Sequence, residues 1–132
     1  MRAVLLLLAS CALLVGCETA PVQQITQDFR SIFEPTKGEP ELAAGIRSYE
    51  DGDYNKAMQQ LQGALKSGLN SFGQIKAHKY LAFIHCASGR ESRCREEFQK
   101  ILQIAPDFEL TPAEAGHPTW GPVFRSVKAQ QR

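Results

Sequence analysis

Thiols and imidazoles are the reactive groups this chain offers. It carries Cys11, Cys17, Cys86 and Cys94, with His78, His85 and His117. The cysteines have no zinc-finger spacing. Cys86 and Cys94 flank Ala87–Arg93, with Gly89 between them; apolar periodicity on both sides puts one at the end of a helix and the other at the start of its antiparallel neighbour. Three chemistries are open to such a pair. They form a disulfide if the compartment is oxidising, they pack as two small hydrophobes at a helix contact, or they hold a metal with His85. Structural zinc takes four ligands, and a single imidazole lies beside this pair. His78 and His85 are seven residues apart and share one helical face, which suits core histidines better than ligands. His117, before Pro118, sits in a loop with no evident partner.

Catalytic patterns are absent elsewhere. No Ser, His and acid set has motif-grade spacing, no glycine-rich loop would cradle a phosphate, and no HExxH segment appears. The expectation is no enzyme, no cofactor, no metal and no small-molecule substrate. A formal charge of +1 and the lack of any long Lys/Arg block exclude nucleic acid as a partner. At 132 residues there is room for one domain.

The elements that position these residues come from an internal repeat. Glu41–Pro106 can be laid on itself with a constant shift: Ala44 falls on Leu81, Gly45 on Ala82, Gly52 on Gly89, Ala57 on Cys94, Leu61 on Phe98 and Leu65 on Leu102. Each copy reads as an apolar helix, a Gly-marked turn and a second apolar helix. Ala44-Gly45, Gly52-Asp53-Tyr54, Ala57, Leu61 and Ala64 resemble the tetratricopeptide (TPR) pattern, as do Leu81-Ala82, Gly89, Phe98, Ile101-Leu102 and Ala105-Pro106 in the second copy. The pattern's Trp site falls on Glu41 and His78 and its Tyr site on Ser48 and His85. The expected fold is all-α, with two TPR-like helical hairpins over 38–106, an N-terminal helix and a C-terminal capping helix.

At the N-terminus, Met1-Arg2 is a short positive start and Ala3–Val15 an apolar run of signal-sequence length, too short for a membrane span. Its end, Leu14-Val15-Gly16-Cys17, resembles the bacterial lipobox. That resemblance implies a signal peptide over 1–16, acylation of Cys17, and a mature chain tethered to the membrane by lipid, more than one acyl chain making the anchor firm. Glu18 after the cysteine favours the outer membrane by the enterobacterial sorting rule. The protein would then face an oxidising periplasm in which Cys86 and Cys94 are the only thiols left, which favours the disulfide. Residues 17–37 read as linker and short helix, Ile25, Phe29, Ile32 and Phe33 forming one apolar face before Pro35.

In a TPR-like array the first helices of the hairpins line a concave surface. That register puts Ile46, Tyr49 and Glu50 there from the first copy, and Lys76, Lys79, Tyr80 and Phe83 from the second, a face suited to an apolar peptide with an acidic flank. Partner-binding residues are therefore expected at Ile46, Tyr49, Lys76, Lys79, Tyr80 and Phe83. The alternative is that residues 107–132 fill this surface from within the same molecule. Thr111-Pro112-Ala113-Glu114 has capping-box spacing, Thr119 is placed to cap a last helix, and Trp120, Val123, Phe124 and Val127 form an apolar stripe on it. Arg90, Arg93 and Arg95, interleaved with Glu91, Glu96 and Glu97, read as a solvated hairpin tip. The whole mature chain resembles the small TssQ-like lipoproteins that accompany type VI secretion. The resemblance implies a periplasm-facing protein-binding scaffold with a secretion-complex or envelope subunit as partner. A regulator of a cell-wall synthase or hydrolase is the alternative, and a small metal- or redox-active protein a further one.

Overall fold

A computed structural model describes residues 35–131, all of them in the second of the chain's two units. The other unit, Met1–Glu34, lies outside the described residues, and with it the expected signal peptide, the Cys17 lipidation site and the N-terminal helix. The described residues are all helical: α1 (Glu39–Glu50), α2 (Tyr54–Ser67), α3 (Ser71–Ala87), α4 (Glu91–Ile104), a single turn α5 (Pro112–Ala115) and α6 (Gly121–Ala129). None of these helices is long and apolar enough to cross a membrane.

Local chemistry sets the ends. Pro40 sits in the first turn of α1 beside Glu39 and Glu41, where a missing N–H costs nothing and acidic groups face the positive helix end. Asp53 opens α2 by accepting the Lys56 N–H, and Asn70 opens α3 by accepting that of Gly73. Both hairpins turn through a glycine at the same place in the repeat, Gly52 at φ +80° and Gly89 at φ +72°, a conformation that costs a side-chain-bearing residue about 1–2 kcal/mol. Both ends of α4 lie 37 residues after those of α2, and α1 and α3 end at that same offset. The repeat seen in sequence is thus a repeat in space, and the arrangement is TPR-like.

Within each hairpin the helices meet through small residues. A Cβ at Gly45 would come within 2.9 Å of Leu61, and the equivalent Ala82 is fully buried. Leu42, Ala57, Leu61, Leu81 and Ile84 form one core cluster between α1, α2 and α3. A second gathers Phe98, Ile101 and Leu102 of α4 with Leu110 and with Val123, Phe124 and Val127 of α6. Phe124 meets Phe98 edge-on at 5.2 Å between ring centres. Helix α6 thereby covers the open side of α4, which an array of stacked hairpins needs at its end.

The start of α6 differs from the sequence expectation. Trp120, not Thr119, is the capping residue, and no side chain caps the helix. The first bonds are made by backbone instead: Gly121 N–H to the His117 carbonyl at 3.0 Å and Phe124 N–H to the Trp120 carbonyl at 2.9 Å. Thr119 donates its own N–H to His117 Nδ1. The Thr111–Glu114 capping box is formed with both of its reciprocal bonds.

Candidate partner-binding site

The face expected to be concave in a TPR-like array carries side chains of α1 and α3. On α3, Phe72, Lys76, Tyr80 and Phe83 recur every three or four residues and so fall on one side; Tyr49 of α1 lies against them, 5.0 Å from Tyr80 between ring centres. Aromatic rings run across this surface as a chain, Tyr54 to Tyr49 at 5.5 Å, Tyr49 to Tyr80, then Tyr80 to Phe83 at 6.2 Å. Trp120 continues it, stacked on Phe83 at 4.3 Å and itself covered by His117 at 3.4 Å. The tilted and edge-on contacts running from Tyr54 to Phe83 fall in the range where each aromatic pair adds about 0.5–1.5 kcal/mol beyond burial.

The six expected binding residues therefore divide. Phe83 is 3% exposed, shut beneath Trp120. Lys79 donates to Glu114 Oε1 at 2.6 Å while its ammonium lies over the Tyr80 and Phe83 rings. These two serve the chain's own C-terminal segment, because Trp120 and Glu114 supply the apolar cover and the carboxylate that an outside partner would have supplied. Ile46, Tyr49 and Tyr80 remain half-buried and Lys76 is exposed. Beside them stand the two large apolar side chains most exposed among the described residues, Tyr54 at 42% and Phe72 at 65%, the latter under the Lys76 ammonium. Neither belongs to the six expected binding residues; the i, i+4 spacing of Phe72 and Lys76 is a sequence signal for Phe72, while Tyr54 joins the surface only through its contact with Tyr49. Burial of the Glu114 carboxyl works to raise its pKa, but hydrogen bonds from Lys79 and Thr111 outweigh it and hold the group below the usual range. The Tyr49 hydroxyl is pushed up by burial and by the neighbouring phenols.

Cys86 and Cys94 are joined, with S–S 2.09 Å and Cα–Cα 5.2 Å, and tie the end of α3 to the first turn of α4. No group of three or more His, Cys, Asp or Glu among the described residues is arranged to hold a metal. His78 and His85 lie on the opposite side of α3 from Tyr80 and Phe83. His78 Nδ1 meets Glu97 Oε2 at 2.6 Å and His85 Nδ1 accepts from Arg90 Nε at 2.9 Å. Burial, followed by the Arg90 charge, lowers the His85 pKa. Burial alone would raise the Glu97 carboxyl, yet bonds from His78 and from Lys100 at 2.7 Å hold it below the usual range.

Two known proteins share part of this sequence. A 63-residue stretch is 33% identical to the Photosystem I assembly protein Ycf3 of Synechococcus sp. (strain CC9605), covering 48% of this chain and 36% of that protein. The protein of the same name from Synechococcus sp. (strain CC9311) is 32% identical over 62 residues, 47% of this chain and 36% of the relative. The chain thus spans about a third of the length of the curated relatives it matches. No family model matches, and no solved structure does. Likeness and fold together make this a TPR-like helical protein, an architecture of protein-interaction scaffolds.

Proposed function

We propose that this chain is a lipid-anchored, periplasm-facing scaffold of the outer membrane that holds a protein segment for an envelope machine, as an accessory component of a type VI secretion system. The observation carrying the binding role is the open half of the concave face: Phe72, Tyr54, Lys76 and the edges of Ile46, Tyr49 and Tyr80, continuous with an aromatic chain whose other half is already filled by Trp120. Exposed aromatics on a rigid pair of hairpins are the side chains that dominate protein interfaces, each costing about 2 kcal/mol or more when truncated at a hot spot. Lys76 favours a carboxylate beside the apolar segment. The membrane tether rests on Leu14-Val15-Gly16-Cys17 after an apolar run.

Two arms test the proposal. Cys17→Ser should abolish incorporation of labelled fatty acid and release the protein from the outer-membrane fraction; retention of both contradicts the anchor. Tyr54→Ala with Phe72→Ala, both exposed, should end co-purification of the partner while helicity and cooperative unfolding are retained. If the retained partner is a cell-wall synthase or hydrolase, the machine is wrong and the scaffold reading stands.

A further inference from the structure

Behind the concave face, α2, α3 and α4 enclose an open groove of about 530 Å³. Met58, Leu65 and Leu81 give it apolar walls, and Arg90, Arg93 and Lys100 give it charge. At 100° per residue, His78, Leu81 and His85 of α3 point nearly opposite to Tyr80 and Phe83, so this is a second surface, independent of the one proposed above.

Its charges are unequal. Glu97 is the one carboxylate among the lining residues, and both of its oxygens are taken, Oε2 by His78 and Oε1 by Lys100. Arg93 lies 3.9 Å from Glu96, both well exposed. Arg90 has no carboxylate within ion-pair distance among the described residues; its Nε is fixed on His85 Nδ1, and Nη2 reaches only the Met58 sulfur at 3.9 Å. For His85 to accept that bond its Nδ1 must carry no proton, which the lowered pKa supports. A guanidinium held along one edge presents the rest of its donors already oriented, the geometry that recognises a carboxylate. Apolar walls beside such a fork suit a segment that alternates acidic and apolar side chains, rather than a small free anion.

We propose that this groove binds an acidic, partly apolar segment of a protein partner, with its carboxylates on Arg90 and Arg93 and its apolar side chains against Met58, Leu65 and Leu81. The inference rests on charge complementarity and groove shape and holds whether or not the concave face binds. The probe is a fluorescent decapeptide of alternating Glu and Leu, with a Gln–Leu peptide as control, titrated by anisotropy against the full-length chain in detergent at low salt. The Glu peptide should bind at least about tenfold tighter than the Gln peptide, and Arg90→Gln with Arg93→Gln should remove that difference. Arg93→Gln alone, at an exposed position on the groove's rim, should remove part of it without changing helicity. Tyr54→Ala with Phe72→Ala should leave it intact, separating failure here from failure of the concave-face reading. Equal binding of the two peptides, or a preference that survives loss of both arginines, overturns the proposal. So does displacement of the Glu peptide by millimolar inorganic phosphate, which would mark a free-anion site, or by phosphatidylglycerol vesicles, which would mark a membrane contact.

Discussion

Reducing the Cys86–Cys94 bond probes the second hairpin with little steric disturbance. The bond closes a loop of sequence separation 8, and the chain-entropy relation gives about 2.5 kcal/mol of stabilisation for a loop of that size at 25 °C. In a domain of about 100 residues each kcal/mol moves the melting temperature by about 4–8 °C, so reduction should lower it by about 10–20 °C. The fold itself should survive. The turn keeps the Arg90 N–H bond to the His85 carbonyl at 2.9 Å and the Gly89 N–H bond to the Cys86 carbonyl at 3.1 Å, and Cys94 stays wholly buried against Phe98 and its neighbours. The assay is helical circular dichroism on heating, with and without a phosphine reductant. Trypsin cleaves after Arg90 and Arg93, so the linked state is read independently as a peptide pair that separates on reduction. An unchanged melting temperature despite separation of the pair would refute the entropic argument; loss of helicity at 25 °C would show that the bond, not the packing of α3 on α4, holds the hairpin.

Trp120→Ala uncovers Phe83 and removes two stacking contacts; because the ring is only half-buried the cost should fall below the usual range for a fully buried Trp, at about 2–3 kcal/mol, measured by urea denaturation. A loss under 0.5 kcal/mol would mean the segment does not dock as described. Gly89→Ala, at φ +72° with no neighbour within 4 Å of the new methyl, should cost about 1 kcal/mol from backbone strain alone. Stability should also fall on acidification in two stages. His85 is held below its ordinary 6.5 and so favours folding when neutral; its contribution is complete above pH 6.5 and starts to be lost beneath it. Glu97 and Glu114 are held below 4.5, so theirs is complete above that value and lost as pH falls further. His85→Gln, which can still accept from Arg90, should erase the upper stage and leave the lower; an upper stage unchanged in that variant would refute the assignment.

The hairpins were legible because their signal is local and doubled. Gly52 and Gly89 mark equivalent turns, and the apolar positions of α2 recur in α4 at the same offset. The stripe Trp120, Val123, Phe124 and Val127 announced a docked helix for the same reason: too much apolar surface to leave wet. What the sequence left open was the destination of that helix. Phe83 reads equally well as a partner contact or as a seat for Trp120, since an exposed-face aromatic and a covered one have the same spacing. Thr119 has the spacing of a helix cap, but backbone bonds from Gly121 and Phe124 make a side-chain cap unnecessary. The groove was harder still. Arg93, Glu97 and Lys100 share a face of α4 by periodicity, but the apolar walls come from α2 and α3, and interleaved Arg and Glu read as an ordinary solvated tip because spacing alone does not show Glu97 taken up between His78 and Lys100.

The central claim is that the open half of the concave face holds a protein segment. A photoreactive phenylalanine analogue placed at position 72 in cells, with the same analogue at the exposed position of Gln99 on α4 as control, tests it most directly. The account predicts one discrete adduct from position 72, absent from position 99, whose peptide maps to a periplasmic segment of a secretion-complex subunit, with that purified segment binding the wild-type protein and not Tyr54→Ala with Phe72→Ala. No adduct above the control, or an adduct only with the protein's own C-terminal helix, would contradict it.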